Sequence, residues 1–328
     1  MCTYCGEKYI KKQLDSLKNQ TLSPTEVKIY DDRSTDNTVE IIKKYIAENA
    51  PDSWSIFINK ENKGWRLNFY DALKDCDGDI VFFCDQDDIW HLDKIEVMSN
   101  ALLANPDILL LSSEKYLIDS NDKKIPRYRK LKSYGKYYDF KVRKCLLYEN
   151  LQVIHWENYL GCTLAAKKKL MQYLPLFQVN EYFSHDGWAL NLAAILDGHY
   201  HITYPSIDYR IHESNSSISK SGSIITNVKL EKGKWLRFQS NYLTSFFDGV
   251  KIIDGKKNVK EVKRLERTIQ FMDERIKLFE KTNLPGWISL LKYFDLYIKY
   301  LGIDQYFIDL VDTLSLRKLL KKENVIVK

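Results

Sequence analysis

The sequence predicts an α/β protein built on a single, mostly parallel, Rossmann-like sheet that is followed by a helical extension. Three observations support this class. Strand-like and helix-like segments alternate through the first 215 residues, an apolar run at 80–84 ends abruptly in acidic residues, and the residues after 223 carry apolar side chains at helical spacing. A chain of 328 residues is long enough for one large domain and an appended region.

The first half of the chain supports this alternation element by element. Apolar residues on one face predict a helix around 9–17, and the capping-type residues at 33–38 predict the start of a second helix. Short apolar runs between turn signals predict strands. In chain order, the predicted elements are helix 9–17, strand 26–30, helix 39–46, strand 55–58, helix 66–74 and strand 80–84.

The middle of the chain is less regular. The segment 121–150 is polar, basic and rich in tyrosine, which indicates a loop beside a site. The predicted elements here are a strand within 107–118, a strand at 160–165, a helix at 189–196 opened by 184–188, and a strand at 200–204 that ends before Pro205.

The Ser-, Asn- and Gly-rich stretch 213–223 indicates a domain boundary. It predicts a first domain over 1–215 and a basic helical region over 216–328. Apolar residues recur every three or four positions in 287–294 and again in 303–314, which predicts amphipathic helices in the second region.

Charge is unevenly distributed along the chain. The net charge is +6, yet residues 216–328 hold 22 Lys and Arg against 13 Asp and Glu, or +9. A basic helical region is typical of contact with an anionic membrane surface or an acidic partner, although a solvated helical face has the same pattern. No apolar stretch approaches about 18 uninterrupted residues, so no transmembrane helix is expected.

Cysteine usage and the start of the chain indicate the compartment. The six cysteines are scattered, and only Cys2 and Cys5 have C-x-x-C spacing, so neither a zinc site nor a disulfide framework is expected. The first residues lack the basic and apolar segments of a signal peptide. We therefore expect a cytoplasmic protein, with peripheral contact at the inner face of the cell membrane as one alternative, and no nucleic-acid partner.

The apolar run Ile80–Cys84 ends in Asp85, Gln86, Asp87 and Asp88. Carboxylates that follow a core strand emerge at the sheet edge where open α/β proteins bind ligands. Two carboxylates one residue apart on an extended chain can face the same side and hold Mg²⁺ or Mn²⁺, which prefer oxygen ligands and bridge diphosphates. The alternative is a solvated turn or a helix cap, and we assign Asp88 to the cap of a helix starting near residue 89 or 91.

A series of motifs along the chain accompanies the triplet Asp85-Gln86-Asp87. In order, the motifs are CTYCGEKYIKKQLDSLKNQT, VKIYDDRSTDNT, NKGWRLNF, GDIVFFCDQDDIW, GCTLAAKKKL, HDGW and YRIH. The series resembles the family 2 inverting glycosyltransferases of the GT-A fold, and among them the bacterial polysaccharide rhamnosyltransferases. The resemblance covers about residues 1–215. It implies a metal-dependent enzyme that acts on a nucleoside diphosphate sugar.

The resemblance implies a nucleotide site. Thr3 and Tyr4 match the nucleotide-contacting end of the first strand, and Asp32 matches a residue that pairs with the pyrimidine base, although a helix-capping role is an alternative from the residues alone. The residues that match a loop and helix start beside the diphosphate are Asn62, Gly64, Arg66 and Asn68. Arg66 either contacts phosphate or faces solvent.

The resemblance also implies the metal site and the catalytic base. Asp87 matches the direct ligand of Mn²⁺ or Mg²⁺, Asp85 a second ligand or a contact to ribose or donor sugar, and His212 a histidine that completes the metal shell. Asp186 in HDGW matches the base that takes the proton from the acceptor hydroxyl, and capping the following helix is the structural alternative.

The two residues beside Asp186 are assigned to the acceptor. His185 either adjusts the pKa of Asp186 or faces the acceptor, and Trp188 either stacks on an acceptor sugar or packs in the core.

The implied activity is inverting transfer of a sugar, with L-rhamnose from dTDP-rhamnose as the expected donor. The acceptor would be a cell-surface polysaccharide or its lipid-linked precursor. The alternatives are a UDP-hexose donor, a sugar nucleotidyltransferase, and an inactive glycan-binding scaffold. Two departures from the family pattern are a short first strand starting at Met1 and Cys5 in place of a frequent Asn.

Overall fold

The chain forms two compact units. A computed structural model describes residues 1–49, 52–126, 141–145, 159–213, 215, 232–253, 259–280, 284–298, 306, 307 and 309. Unit 1 comprises residues 1–147 and 155–220, and unit 2 comprises residues 148–154 and 221–328. Within the described ranges all strands lie in unit 1, and unit 2 is helical.

Unit 1 alternates strands and helices, which confirms the predicted α/β class. Its strands are β1 Cys2–Thr3, β2 Val27–Asp31, β3 Trp54–Ile58, β4 Ile80–Phe82, β5 Ile89–Trp90, β6 Leu110–Ile118, β7 Val142–Lys144, β8 Leu164–Lys167 and β9 His199–Arg210. Its α-helices are α1 Ile10–Lys18, α2 Thr38–Asn49, α3 Trp65–Lys74, α4 Lys94–Ala104, α5 Lys168–Met171 and α6 His185–Ile195.

Local periodicity accounts for the first elements. Ile10, Leu14 and Leu17 of α1 lie on one helical face and are buried, since residues three and four apart face the same side. Val27 and Ile29 of β2 are buried and alternate with half-buried residues, as expected for a strand with a period of two. These side chains share one core cluster, so α1 packs against β2.

The strands form a parallel sheet and a mixed sheet. The parallel sheet has the order β1-β2-β3, and the mixed sheet has the order β4-β8-β6-β9-β5 with β7 on β9. The two meet where the Cys2 N–H donates to the Cys84 carbonyl at 3.3 Å. The ends of β1, β2 and β4 therefore lie beside one another.

The mixed sheet differs from the single, mostly parallel sheet predicted. β8 runs antiparallel to both of its neighbours, β4 and β6, and β9 is parallel to β6 but antiparallel to β5 and β7. Alternation of strand and helix patterns indicates the α/β class, but it does not reveal the direction in which each strand enters the sheet.

Two strand boundaries differ from the prediction. β9 continues through Pro205, and its register with β6 shifts on both sides of Glu114, the residue opposite the proline. Such an irregularity accommodates a residue that has no N–H for the ladder. The strand predicted at 160–165 begins only at Leu164, because Gly161–Thr163 forms a 3₁₀ turn.

The helix predicted to start near residue 89 or 91 begins at Lys94 instead. Ile89 and Trp90 form β5, which pairs with Asp208 and Ile207 of β9. Trp90 is buried. Because these residues pair with a distant strand, they are not helical, although the local capping pattern predicted a helix here.

Unit 2 is helical across its described residues, with α7 Lys232–Ile252, α8 Val259–Glu280, α9 Leu284–Ser289 and α10 Phe294–Leu296. Arg275 donates to both oxygens of Asp309 at 2.8 and 3.3 Å, and the Tyr297 hydroxyl donates to the same carboxylate at 2.7 Å. All three side chains are buried. A buried ion pair needs such additional hydrogen bonds, so this group fixes the chain against α8.

Several predicted segments lie outside the described residues. These include most of the loop 121–150 and most of the apolar stripe over 303–314. In the part of the chain that is described, no helix is both long enough and apolar enough to cross a membrane.

Candidate active site

The predicted nucleotide-contacting residue Thr3 is buried at the end of β1. Its hydroxyl donates to Oδ2 of Asp31 at 2.8 Å. Asp31 also accepts the Ser34 N–H at 2.8 Å and the Ser34 hydroxyl at 2.6 Å. The carboxylate of Asp31, which the sequence analysis did not single out, thus ties the end of β1 to the turn after β2.

Asp32 is buried, and its carboxylate organises the loop that leads into α3. Oδ1 accepts from the Asn59 side-chain amide at 2.9 Å and from the Lys63 N–H at 2.8 Å. Oδ2 accepts the Gly64 N–H at 2.8 Å. Whatever it binds in addition, this carboxylate determines the position of the loop 59–64.

The loop 59–64 and the start of α3 contain the remaining predicted nucleotide residues. Asn62 is exposed and accepts the Gly64 N–H at 3.1 Å, and Gly64 has a φ of 80°, a conformation that suits glycine. Asn68 is buried and bridges Asn59 to the Tyr30 carbonyl with two bonds of 2.9 Å. Asn68 therefore supports the loop and is not open to a ligand.

Arg66 is half-buried at the start of α3. Its guanidinium lies 4.3 Å from the centroid of the Trp65 ring, and its Nε is buried without a hydrogen-bond partner among the described residues. Burial lowers the pKa of Arg66, and the nearby Glu181 opposes that shift.

Asp88 is not a helix cap, which corrects the prediction. It is fully buried, and its Oδ1 accepts the Arg210 N–H at 3.0 Å. Burial, together with the negative charge of Asp87, raises the pKa of Asp88 to about 7. Asp88 thus connects the acidic run to β9.

Four carboxylates crowd the end of β4. Burial raises the pKa of Asp85 well above its usual value, and the negative charges of Asp88, Asp87 and Asp186 raise it further. Asp186 lies about a hundred residues further along the chain, so its influence on Asp85 means that the fold has brought the predicted base to the predicted metal motif.

Arg210 and Lys94 compensate part of this negative charge. The Nε of Arg210 donates to the Asp87 carbonyl at 2.7 Å, and its Nη1 forms an ion pair with Asp122 at 2.6 Å. Lys94 is buried, donates to the Cys162 carbonyl at 2.6 Å, and has its pKa lowered to about 8 by burial. Sequence reasoning missed both residues, although YRIH placed Arg210 two positions before His212.

Asp87 and His212 face each other in a partly buried position. The Nε2 of His212 lies 2.7 Å from Oδ2 of Asp87. The histidine ring also lies 4.9 Å from the ring of Tyr9, centroid to centroid. The structure thus brings together two of the three predicted metal ligands. Asp87 lies in the loop after β4, and His212 lies two residues after the end of β9.

A second group of potential ligands consists of Asp85, Asp88 and Cys162, whose ligand atoms lie within 4.8 Å of one another. Burial and the charges of Asp88 and Asp85 raise the pKa of the Cys162 thiol well above its usual range. A protonated thiol is a poor ligand for Mg²⁺ or Mn²⁺, which prefer oxygen. The carboxylate and imidazole of Asp87 and His212 fit such a cation better.

Asp186 lies in the first turn of α6, and Ser184 is the residue that caps this helix. The Ser184 hydroxyl accepts the Gly187 N–H at 3.1 Å and donates to Oδ1 of Asp186. Oδ1 also accepts the Gly187 N–H at 2.8 Å. No described residue hydrogen-bonds Oδ2 of Asp186, so one oxygen orients the carboxylate and the other is open to a ligand.

The acceptor roles assigned to His185 and Trp188 are wrong for this structure, because both side chains are buried. The His185 ring stacks on Phe69 with centroids 3.8 Å apart, and burial lowers its pKa. Trp188 is only 1% exposed and packs edge-on against Phe177 at 5.9 Å. The start of this helix directs both rings into the core, while Asp186 between them is only partly buried.

The comparison with protein families agrees with this geometry. The family described as Glycosyl transferase family 2 matches residues 1–159. Residues 1–159 belong to glycosyltransferase family 2. The chain is a glycosyltransferase that uses a nucleotide sugar, and the predicted family is confirmed for residues 1–159.

Individual relatives support the same conclusion. The dTDP-rhamnosyl transferase RfbG of Shigella flexneri is 29% identical over 261 residues, which is 72% of this chain and 81% of RfbG. A Staphylococcus aureus poly(ribitol-phosphate) beta-N-acetylglucosaminyltransferase, TarS, is 39% identical over 88 residues, 26% of this chain and 15% of TarS. The structure of TarS residues 1–349 with UDP-GlcNAc has a TM-score of 0.55 at 19% identity, covering 89% of this chain and 78% of that one. This likeness confirms the GT-A fold.

We predict that Asp32→Ala destabilises the protein even without a nucleotide. The substitution removes the acceptor of the Lys63 N–H and the shorter of two acceptors of the Gly64 N–H, and it leaves the Asn59 amide bonded only to Asn68. The free energy of unfolding should fall by about 2–4 kcal/mol in chemical denaturation, because three partly buried hydrogen bonds are lost together.

The exposed residue Asp52 provides a control, and Asp52→Ala should leave the free energy of unfolding within about 0.5 kcal/mol of the wild-type value. If Asp32→Ala were equally neutral, its carboxylate would not organise the loop.

Proposed function

We propose that the chain is an inverting, metal-dependent glycosyltransferase that moves L-rhamnose from dTDP-rhamnose to a cell-surface polysaccharide or its lipid-linked precursor. The observation that carries the proposal is the convergence of Asp186 with Asp85, Asp87 and His212 at the end of β4. The named activity of RfbG, which aligns with 72% of this chain, supports rhamnose as the sugar.

Asp87 and His212 would hold Mn²⁺ or Mg²⁺, and Asp85 would either join them or contact the ribose or donor sugar. A carboxylate oxygen and an imidazole nitrogen 2.7 Å apart suit a cation that displaces the hydrogen bond between them. When bound, the cation would supply positive charge that neutralises the leaving diphosphate. Arg210 would keep the Asp87 main chain in position through its bond to the Asp87 carbonyl.

Asp186 would be the general base. Its Oδ1 is held by Ser184 and Gly187, which fixes the direction of Oδ2. An inverting transfer needs one carboxylate on the side of the sugar opposite the leaving group, where it accepts the proton of the attacking hydroxyl. Oδ2 would take that proton, and the burial of His185 leaves the role of base to the carboxylate alone.

The nucleotide would lie over the ends of β1 and β2. The exposed Tyr4 ring would contact the base, and Thr3 and Asp32 would shape the pocket from below through their bonds to neighbouring loops. Asn62, Gly64 and Arg66 would line the diphosphate side, and Asn68 would support that loop from within the core.

The acceptor would be a glycan or a lipid-linked glycan, reached by peripheral contact with the inner face of the cell membrane. Two features of the C-terminal region support this location. Residues 216–328 carry a net charge of +9. Several large apolar side chains of unit 2 are exposed: Leu284, Ile288, Leu291, Ile298 and Phe307.

A second candidate is transfer from a UDP-hexose, which the fold shared with TarS bound to UDP-GlcNAc favours. The inactive-scaffold alternative is disfavoured because the carboxylates Asp85, Asp87 and Asp186 are present together. The sugar nucleotidyltransferase alternative lacks a glycine-rich basic phosphate loop, since the segment 2–12 contains only Gly6.

We predict that the purified chain releases nucleoside diphosphate from dTDP-rhamnose in the presence of Mn²⁺ or Mg²⁺. Release should be at least about tenfold faster than from UDP-GlcNAc or GDP-mannose, because donors that differ in base and sugar lose specific contacts. The assay measures diphosphate release for each donor with and without EDTA. Faster release from UDP-GlcNAc would favour transfer from a UDP-hexose. If no donor released nucleoside diphosphate in a metal-dependent way, the proposed enzymatic activity would be refuted.

We predict that Asp186→Asn lowers the transfer rate by about 10²–10⁴-fold, the usual contribution of a general base. The amide keeps the shape of the side chain but cannot take the proton. Donor affinity, measured by thermal shift with Mn²⁺, should change little. Asp79→Asn, an equivalent change at an exposed position, should leave the rate unchanged. Full transfer by Asp186→Asn would remove Asp186 from the role of base.

A further inference from the structure

The side chain of Gln86, between the two predicted metal-site aspartates, forms a two-way hydrogen-bonded pair with the main chain of Tyr4. The Tyr4 N–H donates to Oε1 of Gln86 at 2.8 Å, and Nε2 of Gln86 donates to the Tyr4 carbonyl at 2.9 Å. Donor faces acceptor in both contacts, so the orientation of the amide is determined. The pair joins the end of β1 to the acidic run after β4.

This pair extends the main-chain hydrogen bonding between β1 and the segment after β4, but with side-chain bonds. The preceding bond between these two chain segments runs from the Cys2 N–H to the Cys84 carbonyl at 3.3 Å. Two residues further along both segments, the partner of Tyr4 is the Gln86 amide rather than a main-chain peptide group. Because the side chain supplies the pairing, the main chain at 85–87 is free to turn out of the sheet.

Gly6 makes room for the pair. A Cβ built on Gly6 would lie 2.3 Å from Oε1 and 2.5 Å from Cδ of Gln86. The Gly6 main chain is itself held, because its N–H donates to the Thr38 hydroxyl at 2.7 Å and its carbonyl accepts the Tyr9 and Ile10 N–H groups. A side chain at position 6 would therefore displace Gln86 and not the main chain.

We propose that Gln86 is a positioning residue for the donor site, and this inference rests on the proposed glycosyl transfer. Its amide locks the acidic run to the end of β1, so that the Tyr4 ring and the carboxylates of Asp85 and Asp87 keep a fixed separation. Gly6 is the second part of the same device. The ligand that this device serves is a nucleoside diphosphate sugar, whose base and diphosphate must be held at the two ends of that separation.

The test compares Gln86→Ala, Gly6→Ala and the double variant with wild type. Each single variant should raise the donor KM and the Mn²⁺ concentration for half-maximal activity about tenfold, the equivalent of one to two lost hydrogen bonds. The midpoint of thermal unfolding should change little. The double variant should be no worse than either single one, because both changes break the same contact. Gln172→Ala, at an exposed glutamine after α5, serves as the matched control.

Hydrogen exchange provides a readout that does not depend on activity. The Tyr4 amide should exchange at least about tenfold faster in Gln86→Ala than in wild type, since its hydrogen-bond acceptor is lost. The Gly6 amide, bonded to Thr38, should remain protected in both.

Four results separate the possible outcomes. Unchanged donor KM and metal requirement in Gln86→Ala, with an active wild type, would refute the positioning role. Effects of the two single variants that multiply in the double variant would refute the shared device. If wild type releases no nucleoside diphosphate from any donor, the proposed function fails. An unchanged exchange rate of the Tyr4 amide in Gln86→Ala would refute the hydrogen-bonded pair itself.

Discussion

The accumulation of negative charge at the end of β4 is the constraint on which the rest of the site depends. Asp85, Asp87, Asp88 and Asp186 lie close enough together that their charges raise the pKa of Asp85. Like charges at this distance destabilise a fold unless they are protonated, paired or neutralised by a ligand. Raised pKa values at Asp85 and Asp88 and the nearby cations Arg210 and Lys94 account for part of this charge, and a bound cation or substrate is the ligand that we propose for the rest.

The structural part of the group is buried and compensated from within. Asp88 is tied to the Arg210 main chain and has a pKa near 7. Lys94 donates to the carbonyl of Cys162, and Arg210 donates to the carbonyl of Asp87. The partly exposed members, Asp85, Asp87 and Asp186, are those whose charge a cation or a substrate proton would meet. Burial thus separates the aspartate with a structural role from those proposed to take part in catalysis, although all of them look alike in the sequence.

The sequence predicts the elements that depend on local patterns. It does not predict elements or side-chain positions that depend on contacts with residues far along the chain. The elements around β1, β2 and α1 follow from periodicity, and the acidic run after β4 follows from an apolar strand ending in carboxylates. The helix assigned after Asp88 was wrong because β5 pairs with β9 more than a hundred residues away. His185 and Trp188 flank a predicted base, yet their rings fill the core, and only packing partners such as Phe69 reveal this.

The central claim is that Asp87 and His212, rather than the neighbouring carboxylate and thiol group, bind the catalytic cation. Anomalous diffraction from crystals grown with Mn²⁺ and a nucleoside diphosphate tests it directly. We predict one manganese peak in coordination contact with the Asp87 carboxylate and Nε2 of His212. A peak bound instead by Asp88 and Cys162, or no manganese at the end of β4, would contradict the claim.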